Sequence, residues 1–230
     1  MAPLNPTPLE RPRLKVCCIT SVEEAEVAIR YGADAIGLVS EMPSGPGVIP
    51  DHLIEEIAAR TPPEVATFLL TSSHEVNAIV DQQQRFRVDA IQLCDALPPE
   101  ALDQLRSAIP GTSIVQVIHV VGEKSLGQAM SAAGTVDAIL LDSGDPTKAV
   151  KELGGTGRTH DWALSRVIRE QVGIPVWLAG GLTSDNVAEA VRTVRPFGVD
   201  TCTGLRTDGH LDQGKLTRFV RELLVAGGSG

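Results

Sequence analysis

Several residues that can transfer protons or bind a metal ion lie close to the ends of short apolar runs in this sequence. His119 and Asp142 close two of these runs, and every cysteine of the chain lies in or beside one. The cysteines are Cys17, Cys18, Cys94 and Cys202. A single buried cysteine is usually a small hydrophobic residue. Four in equivalent positions, together with an imidazole and a carboxyl, predict a thiol-rich functional site.

Glycine-rich stretches late in the chain indicate an anion site. Gly155 lies in LGGTGRTHDW, Gly180 and Gly181 lie in LAGGL, and Thr203 and Gly204 lie in TCTGLRTDG. Glycines let the backbone approach a ligand closely, and its N–H groups can then hold a phosphate. The alternative is that these glycines only make tight turns.

The elements that must position these residues alternate regularly along the chain. Eight apolar runs are each followed by a stretch with helical spacing, which predicts strand–helix pairs. The runs are LKVCCI, ADAIGLVS, EVATFLL, VDAIQLC, SIVQVIHV, VDAILLD, IPVWLA and FGVDTCT. The helices are expected to start near Val22, Asp51, His74, Pro98, Glu123, Asp161, Ser184 and Leu211.

Eight such pairs predict an α/β fold, a single-domain (β/α)8 TIM barrel. We expect an extended N-terminal arm at residues 1–13, the barrel at 14–225 and a flexible tail at 226–230. An open doubly wound sheet is the alternative topology. In a barrel, functional residues lie at the C-terminal ends of the strands, and the loops after strands 7 and 8 hold phosphate.

Composition limits the classes of partner. The 230 residues carry a formal charge of −9, which disfavours binding to nucleic acid. No apolar run reaches 18 residues, so we expect no membrane span. The first residues contain no signal-peptide h-region, which predicts a cytoplasmic protein with reduced thiols. Only 3% of residues are aromatic, so the core must consist of Val, Ile, Leu and Ala.

Several of these motifs together resemble the phosphoribosylanthranilate isomerase family of tryptophan biosynthesis, over about residues 14–223. The resemblance is strongest in the combination of GGTGR and DW with LAGGL and NV. The matching segments are KVC at 15–17, GADAIG at 32–37, QL at 92–93, LLD at 140–142, GGTGR at 154–158, DW at 161–162, AGGL at 179–182, NV at 186–187, and PFGVD at 196–200 with Gly204.

The resemblance implies an Amadori rearrangement of N-(5-phosphoribosyl)anthranilate to the aminoketose, with no cofactor and no metal. It makes Cys17 the general base and Asp142 the general acid. The residues agree with these roles, because Lys15 would lie on the same strand face as Cys17 and lower its pKa. Partial burial would raise the pKa of Asp142. The expected partner is a small phosphorylated sugar, bound by a monomer or homodimer.

The sequence departs from the family pattern on the side of the anthranilate ring. Cys18 replaces a glycine, and the stretch at 40–47, SEMPSGPG, lacks the arginine that the family uses for the anthranilate carboxylate. Cys94 replaces a histidine after Gln92, and His119 stands where many members have an arginine. The other predicted pocket residues are Lys15, Gln92, Cys94, His119 and Arg158. A related isomerase or lyase acting on another phosphosugar is therefore an alternative.

Two further classes of function stay open from the residues alone. Cys17 or Cys18 could converge with Cys94, Cys202 and His119 as soft ligands for zinc, although their spacing matches no compact zinc motif. The barrel could also bind a phosphosugar without turning it over.

Overall fold

The computed structural model describes residues 11–144, 153, 155 and 157–227 of the chain. Its strands are β1 Arg13–Val16, β2 Ala35–Val39, β3 Ala66–Thr71, β4 Ala90–Leu93, β5 Ser113–His119, β6 Ala138–Asp142, β7 Val176–Leu178, β8 Gly198–Thr201, and the short β9 Arg206–Thr207 and β10 His210–Leu211. Its helices are α1 Val22–Arg30, α2 Asp51–Arg60, α3 Val76–Phe86, α4 Pro99–Ala108, α5 Lys124–Ala133, α6 Trp162–Gln171, α7 Val187–Val194 and α8 Gln213–Gly227.

The strands β1 to β8 form a closed parallel barrel in sequence order. The closing pair is β1 with β8, in which Lys15 lies opposite Asp200 and Val16 opposite Thr201. This confirms the predicted (β/α)8 barrel and excludes the open sheet, in which the first and last strands of the run would not meet. β9 and β10 form a separate antiparallel hairpin before α8.

Residues of each barrel strand alternate between two buried layers. Leu14 and Val16 of β1 pack in the outer cluster between strands and helices. Cys17, which directly follows β1, belongs to the inner cluster. Strands buried on both faces read as continuous apolar runs, which is why the eight runs were visible in the sequence. The interior is filled by Trp177, whose ring makes edge contacts with Phe68 and Phe197.

Local capping explains where the helices begin. The Ser21 hydroxyl accepts the Glu24 N–H at the start of α1, and Asp161 accepts the N–H groups of Ala163 and Leu164 at the start of α6. Around α7 the start lies three residues beyond the predicted Ser184. Residues 183–186 form a turn in which Asn186 Oδ1 accepts the Thr183 N–H at 2.8 Å, so the helix begins only at Val187.

The first strand and the last helix extend slightly beyond the predicted barrel at 14–225. β1 begins at Arg13, and α8 continues to Gly227. Most of the predicted arm and the last three residues of the tail lie outside the described residues. Within the part described, none of the helices combines the length and apolar character that crossing a bilayer requires.

Candidate active site

A cleft opens at the C-terminal ends of the barrel strands. It is lined by groups that the sequence placed in a functional site, and these come from five of the eight strands or the loops after them. They are Cys17, Gln92, Cys94, Asp142, Gly155, Gly180, Gly181 and Thr203. Cys17 and Asp142 therefore share one cavity.

Cys17 is adjacent to a buried cation. Lys15 Nζ lies 3.5 Å from the Cys17 sulfur and 3.0 Å from Asp200 Oδ2. The Lys15 side chain is fully buried, and the neighbouring Asp200 and Cys17 raise its pKa above the ordinary value against the opposing effect of burial. Lys15 is therefore held as an ammonium, within hydrogen-bonding distance of the Cys17 sulfur.

Asp142 ends β6 and is only 7% exposed. Burial raises the pKa of its carboxyl, while the Ser143 N–H, which donates to Oδ1 at 2.7 Å, works in the opposite direction. A raised pKa keeps the proton on the carboxyl at a higher pH than usual. Asp142 thus has the environment of a proton donor.

The opposite wall of the cleft is made largely of backbone. Gly180 and Gly181, after β7, both have φ in the left-handed region, at 83° and 62°. A Cβ on Gly181 would lie 2.5 Å from the carbonyl carbon of Arg158, so the loops after β6 and β7 touch through their main chains. Such a surface offers N–H groups to an anion without requiring basic side chains.

Thr203 begins a single turn of 3-10 helix, Thr203–Leu205, beside the glycine loop. Gly204 is the middle residue of this turn, and a Cβ there would collide with the Leu182 carbonyl oxygen. It shapes the wall without lining the cleft. Of the GGTG motif, Gly155 lines the cleft, whereas Gly154 and Thr156 lie outside the described residues.

Three other predicted pocket residues do not line the cleft. Lys15 lies beneath it, in contact with Cys17. The side chain of Arg158 is exposed. His119 neighbours Asp142 across the β5–β6 pair but lines a separate groove between α4 and α5.

Cys94 lies in the same cleft as Cys17 but in a different environment. Burial and the neighbouring Cys17 raise the pKa of its thiol, and Lys15 lowers it only in part. A thiol in this state stays protonated and acts as a small apolar wall residue. The cleft therefore contains thiols with contrasting surroundings.

The loop between β2 and α2 covers the cleft on the side where the family arginine is missing. Met42, Ser44, Gly45 and Pro46 line the cleft from this loop. Pro46 packs directly against Gly155, where a Cβ would meet the proline ring at 2.4 Å. The loops after β2 and β6 thus meet over the site, and no Lys, Arg or His is among the described residues that line the cleft.

Sequence reasoning missed Asp200, the buried partner of Lys15. It stands in the apolar run FGVDTCT, and an acidic residue on the inner face of a buried strand was the available indication. It also missed Gly157, which lines the cleft beside Thr203.

The described residues do not form the metal centre that the sequence left open. Nowhere in the described part of the chain do three or more His, Cys, Asp or Glu side chains form a group that could hold a metal ion. His119, a proposed fourth ligand, lies outside the cleft that contains Cys17, Cys18, Cys94 and Cys202.

Comparison with known proteins identifies the family. The family model for N-(5'-phosphoribosyl)anthranilate isomerase matches residues 14–222, nearly the whole barrel. The chain belongs to the phosphoribosylanthranilate isomerase family. It is thus an isomerase of the type that serves tryptophan biosynthesis, as its motifs indicated.

Individual family members match this chain over most of their lengths. N-(5'-phosphoribosyl)anthranilate isomerase 2 of Methanosarcina mazei is 37% identical over 90% of this chain and 92% of its own. A phosphoribosylanthranilate isomerase solved with reduced 1-(o-carboxyphenylamino)-1-deoxyribulose 5-phosphate is 27% identical, with a TM-score of 0.77 over 92% of this chain and 98% of that one. Monomers generated from the dimeric enzyme of Thermotoga maritima are 26% identical, with the same TM-score and coverage.

Proposed function

We propose that this protein converts N-(5-phosphoribosyl)anthranilate into 1-(o-carboxyphenylamino)-1-deoxyribulose 5-phosphate, with Asp142 as general acid and Cys17 as general base. Asp142 gives its proton to the ring oxygen of the sugar, and the C1–O bond breaks to leave a protonated Schiff base. The Cys17 thiolate then removes the proton from C2, and the resulting enamine becomes the ketone.

The observation that carries this proposal is that Cys17 and Asp142 line one cleft in complementary environments. The Lys15 ammonium lies 3.5 Å from the Cys17 sulfur. Burial favours the protonated carboxyl of Asp142. General acid–base catalysis needs one group of each kind within reach of the same substrate.

The phosphate of the substrate would be held by main-chain N–H groups around Gly155, Gly180, Gly181 and Thr203, with Gly204 supporting the turn. This arrangement suits an acidic protein, because backbone dipoles bind an anion without added basic side chains. Gln92 and Cys94 would contact the sugar or ring from the strand ends. The same cleft serves a monomer or a homodimer.

Replacing the two proposed catalytic groups tests this function. We expect Cys17→Ala and Asp142→Asn each to lower kcat by about 10²–10⁴-fold in a purified-enzyme assay. Neither variant should rescue a tryptophan auxotroph that lacks this isomerase, whereas the unaltered gene should. Rescue of the auxotroph by each of the two variants would contradict the proposed mechanism.

Cys94→Ala is the matched control for loss of a thiol from the cleft. Its thiol is kept neutral by burial. We expect this variant to change KM more than kcat. A loss of kcat as large as that of Cys17→Ala would show that the thiol base was assigned to the wrong residue.

A second candidate substrate is another phosphosugar amine, because the loop over the cleft carries no arginine. A bidentate guanidinium contact to a carboxylate cannot be replaced by Met42, Gly45 or Pro46. Turnover of the anthranilate substrate should be compared with that of the aniline analogue, which lacks only the ring carboxylate. A markedly higher kcat/KM for the anthranilate compound supports the first substrate, and equal values favour the second.

A further inference from the structure

Three of the cysteines meet at the seam where β1 and β8 close the barrel. The Cys17 N–H donates to the Thr201 carbonyl oxygen at 2.9 Å, so the chain after β1 runs beside the chain after β8. Cys17, Cys18 and Cys202 line the same cleft, and Cys202 packs against the inner cluster that contains Cys17 and Cys18. All four cysteines are reduced in the structure.

Cys202 is the thiol of this group that solvent reaches most easily. It is partly exposed, whereas Cys17 and Cys18 are buried, and it lines the mouth of the cleft. Its hydrogen bond with Cys18 and the nearby Arg206 lower the pKa of the Cys202 thiol, although burial opposes this. An accessible thiol beside a cation is the kind that reacts with oxidants.

The surroundings hold Cys18 within reach of Cys202. Arg206 donates to the Cys18 carbonyl oxygen and makes a bidentate contact with the Glu24 carboxylate at 2.9 and 3.0 Å. Cys18 has φ of 59°, a left-handed conformation, and Gly47 packs so closely on it that a Cβ there would lie 2.4 Å from the Cys18 Cβ. These contacts hold Cys18 in the cleft that Cys202 also lines.

We infer that Cys18 and Cys202 form a reversible disulfide when the protein meets a hydroperoxide. The Cys202 thiolate attacks the peroxide oxygen, the O–O bond breaks, and Cys202 becomes a sulfenic acid as the alcohol or water leaves. The Cys18 sulfur then displaces the sulfenic hydroxyl as water and forms the S–S bond. Two thiols are oxidised by two electrons, and one peroxide is reduced.

The Cys17–Cys18 pair is the less favourable alternative. A disulfide between adjacent residues closes a strained eight-membered ring. Cys18 and Cys202 follow the neighbouring strands β1 and β8, so a bond between them closes no such ring. Cys202 directly precedes Thr203, and Cys18 directly follows Cys17. The bond would therefore link the chain segments that carry the base and the phosphate turn.

The consequence for activity rests on the proposed function. Moving the Cys17 and Thr203 backbones by a fraction of an ångström to form the bond should lower isomerase activity on the order of 10²-fold. Dithiothreitol should restore it. The disulfide itself can be measured without any substrate, so its failure and the failure of the proposed function give different results.

The test uses the full-length reduced protein treated with one equivalent of hydrogen peroxide, alkylated and digested. Trypsin leaves Cys17 and Cys18 in one peptide, so the cross-link is mapped in variants as well as by fragmentation. We expect the cross-link to Cys202 to persist in Cys17→Ala and in Cys94→Ser, and to disappear in Cys18→Ser and Cys202→Ser. Circular dichroism checks that each variant is folded.

Four results would overturn the inference. They are an unchanged number of free thiols after peroxide, a bond between Cys17 and Cys18, a cross-link that persists in folded Cys18→Ser, and a Cys202 that proceeds to sulfinic acid while Cys18 stays free for alkylation. Loss of two thiols, their recovery with dithiothreitol and a mapped Cys18–Cys202 peptide support it.

Discussion

At the residue scale, the thiols of the cleft differ in their electrostatic surroundings, because their neighbouring side chains differ. Cys17 lies 3.5 Å from the Lys15 ammonium, whereas burial raises the pKa of Cys94. Cys18, held between two thiols, also has its pKa raised, chiefly by the hydrogen bonds with them. These differences distinguish Cys17, the thiol to which the proposed mechanism assigns the role of base.

The pH dependence of activity should identify the acid. In the proposed mechanism Asp142 works in its protonated form. Burial raises its pKa, so activity should fall as the pH rises through that pKa and the carboxyl loses its proton. In Asp142→Asn the side chain does not titrate. We expect the residual kcat/KM of this variant to lose its alkaline decline, measured as a full pH profile. An unchanged alkaline limb would assign that limb to another group.

At the element scale, the seam between β1 and β8 joins the first and last strands of the barrel. The Lys15–Asp200 ion pair crosses it at 3.0 Å with both side chains buried. The Lys15 ammonium also lies 5.3 Å from the centre of the Phe68 ring. A buried charge pair is strongly destabilised when one partner is removed, because the other charge is left without compensation.

Lys15→Met should therefore cost about 3–5 kcal/mol of the free energy of unfolding. Denaturant unfolding at neutral pH measures this cost. The double variant Lys15→Met/Asp200→Asn should recover part of it, because the unpaired carboxylate is gone. Arg106→Met breaks an exposed ion pair with Asp137 and should cost about 1 kcal/mol or less. Equal losses in the two single variants would contradict the account.

The loops after β6 and β7 are in close contact at Gly181. Gly181→Ala combines a left-handed φ of 62° with a collision at 2.5 Å, whereas Gly173 has φ of 66° and open space around it. Gly173→Ala should cost about 1–2 kcal/mol, the conformational penalty alone. Gly181→Ala should cost more and should also raise KM for the phosphosugar. Calorimetry and steady-state kinetics on both variants separate the two effects.

At the scale of the whole molecule, the net charge of −9 opposes the approach of an anionic substrate. Salt screens this long-range repulsion while affecting contacts inside the cleft less. We expect kcat/KM to rise roughly twofold when ionic strength increases from low values to about 0.15 M. A steady decline over that range would mean that the local field at the cleft mouth is positive.

Much of this protein could be predicted from local patterns. The eight apolar runs and their helices were visible because buried parallel strands and amphipathic helices have distinct spacing. The order of these elements led to the barrel. The barrel in turn predicted that the glycine loops, Cys17 and Asp142 lie at one end of the molecule, because the ends of parallel strands meet on one face.

Other features depend on contacts between distant parts of the chain. Asp200 lies 185 residues from Lys15, and only barrel closure brings them together. His119 ends its strand beside Asp142 but lines a groove outside the cleft, a difference that strand spacing does not determine. The turn at 183–186 likewise moved the start of α7 to Val187.

The sequence by itself determined the alternation of elements, the family and the types of group at the strand ends, because these depend on neighbours along the chain. The tertiary structure decided which of those groups share one cavity. It also decided that the Lys15 ammonium lies beside the Cys17 sulfur and that all four cysteines share the cleft. Distances between side chains depend on how the barrel closes and how its loops pack.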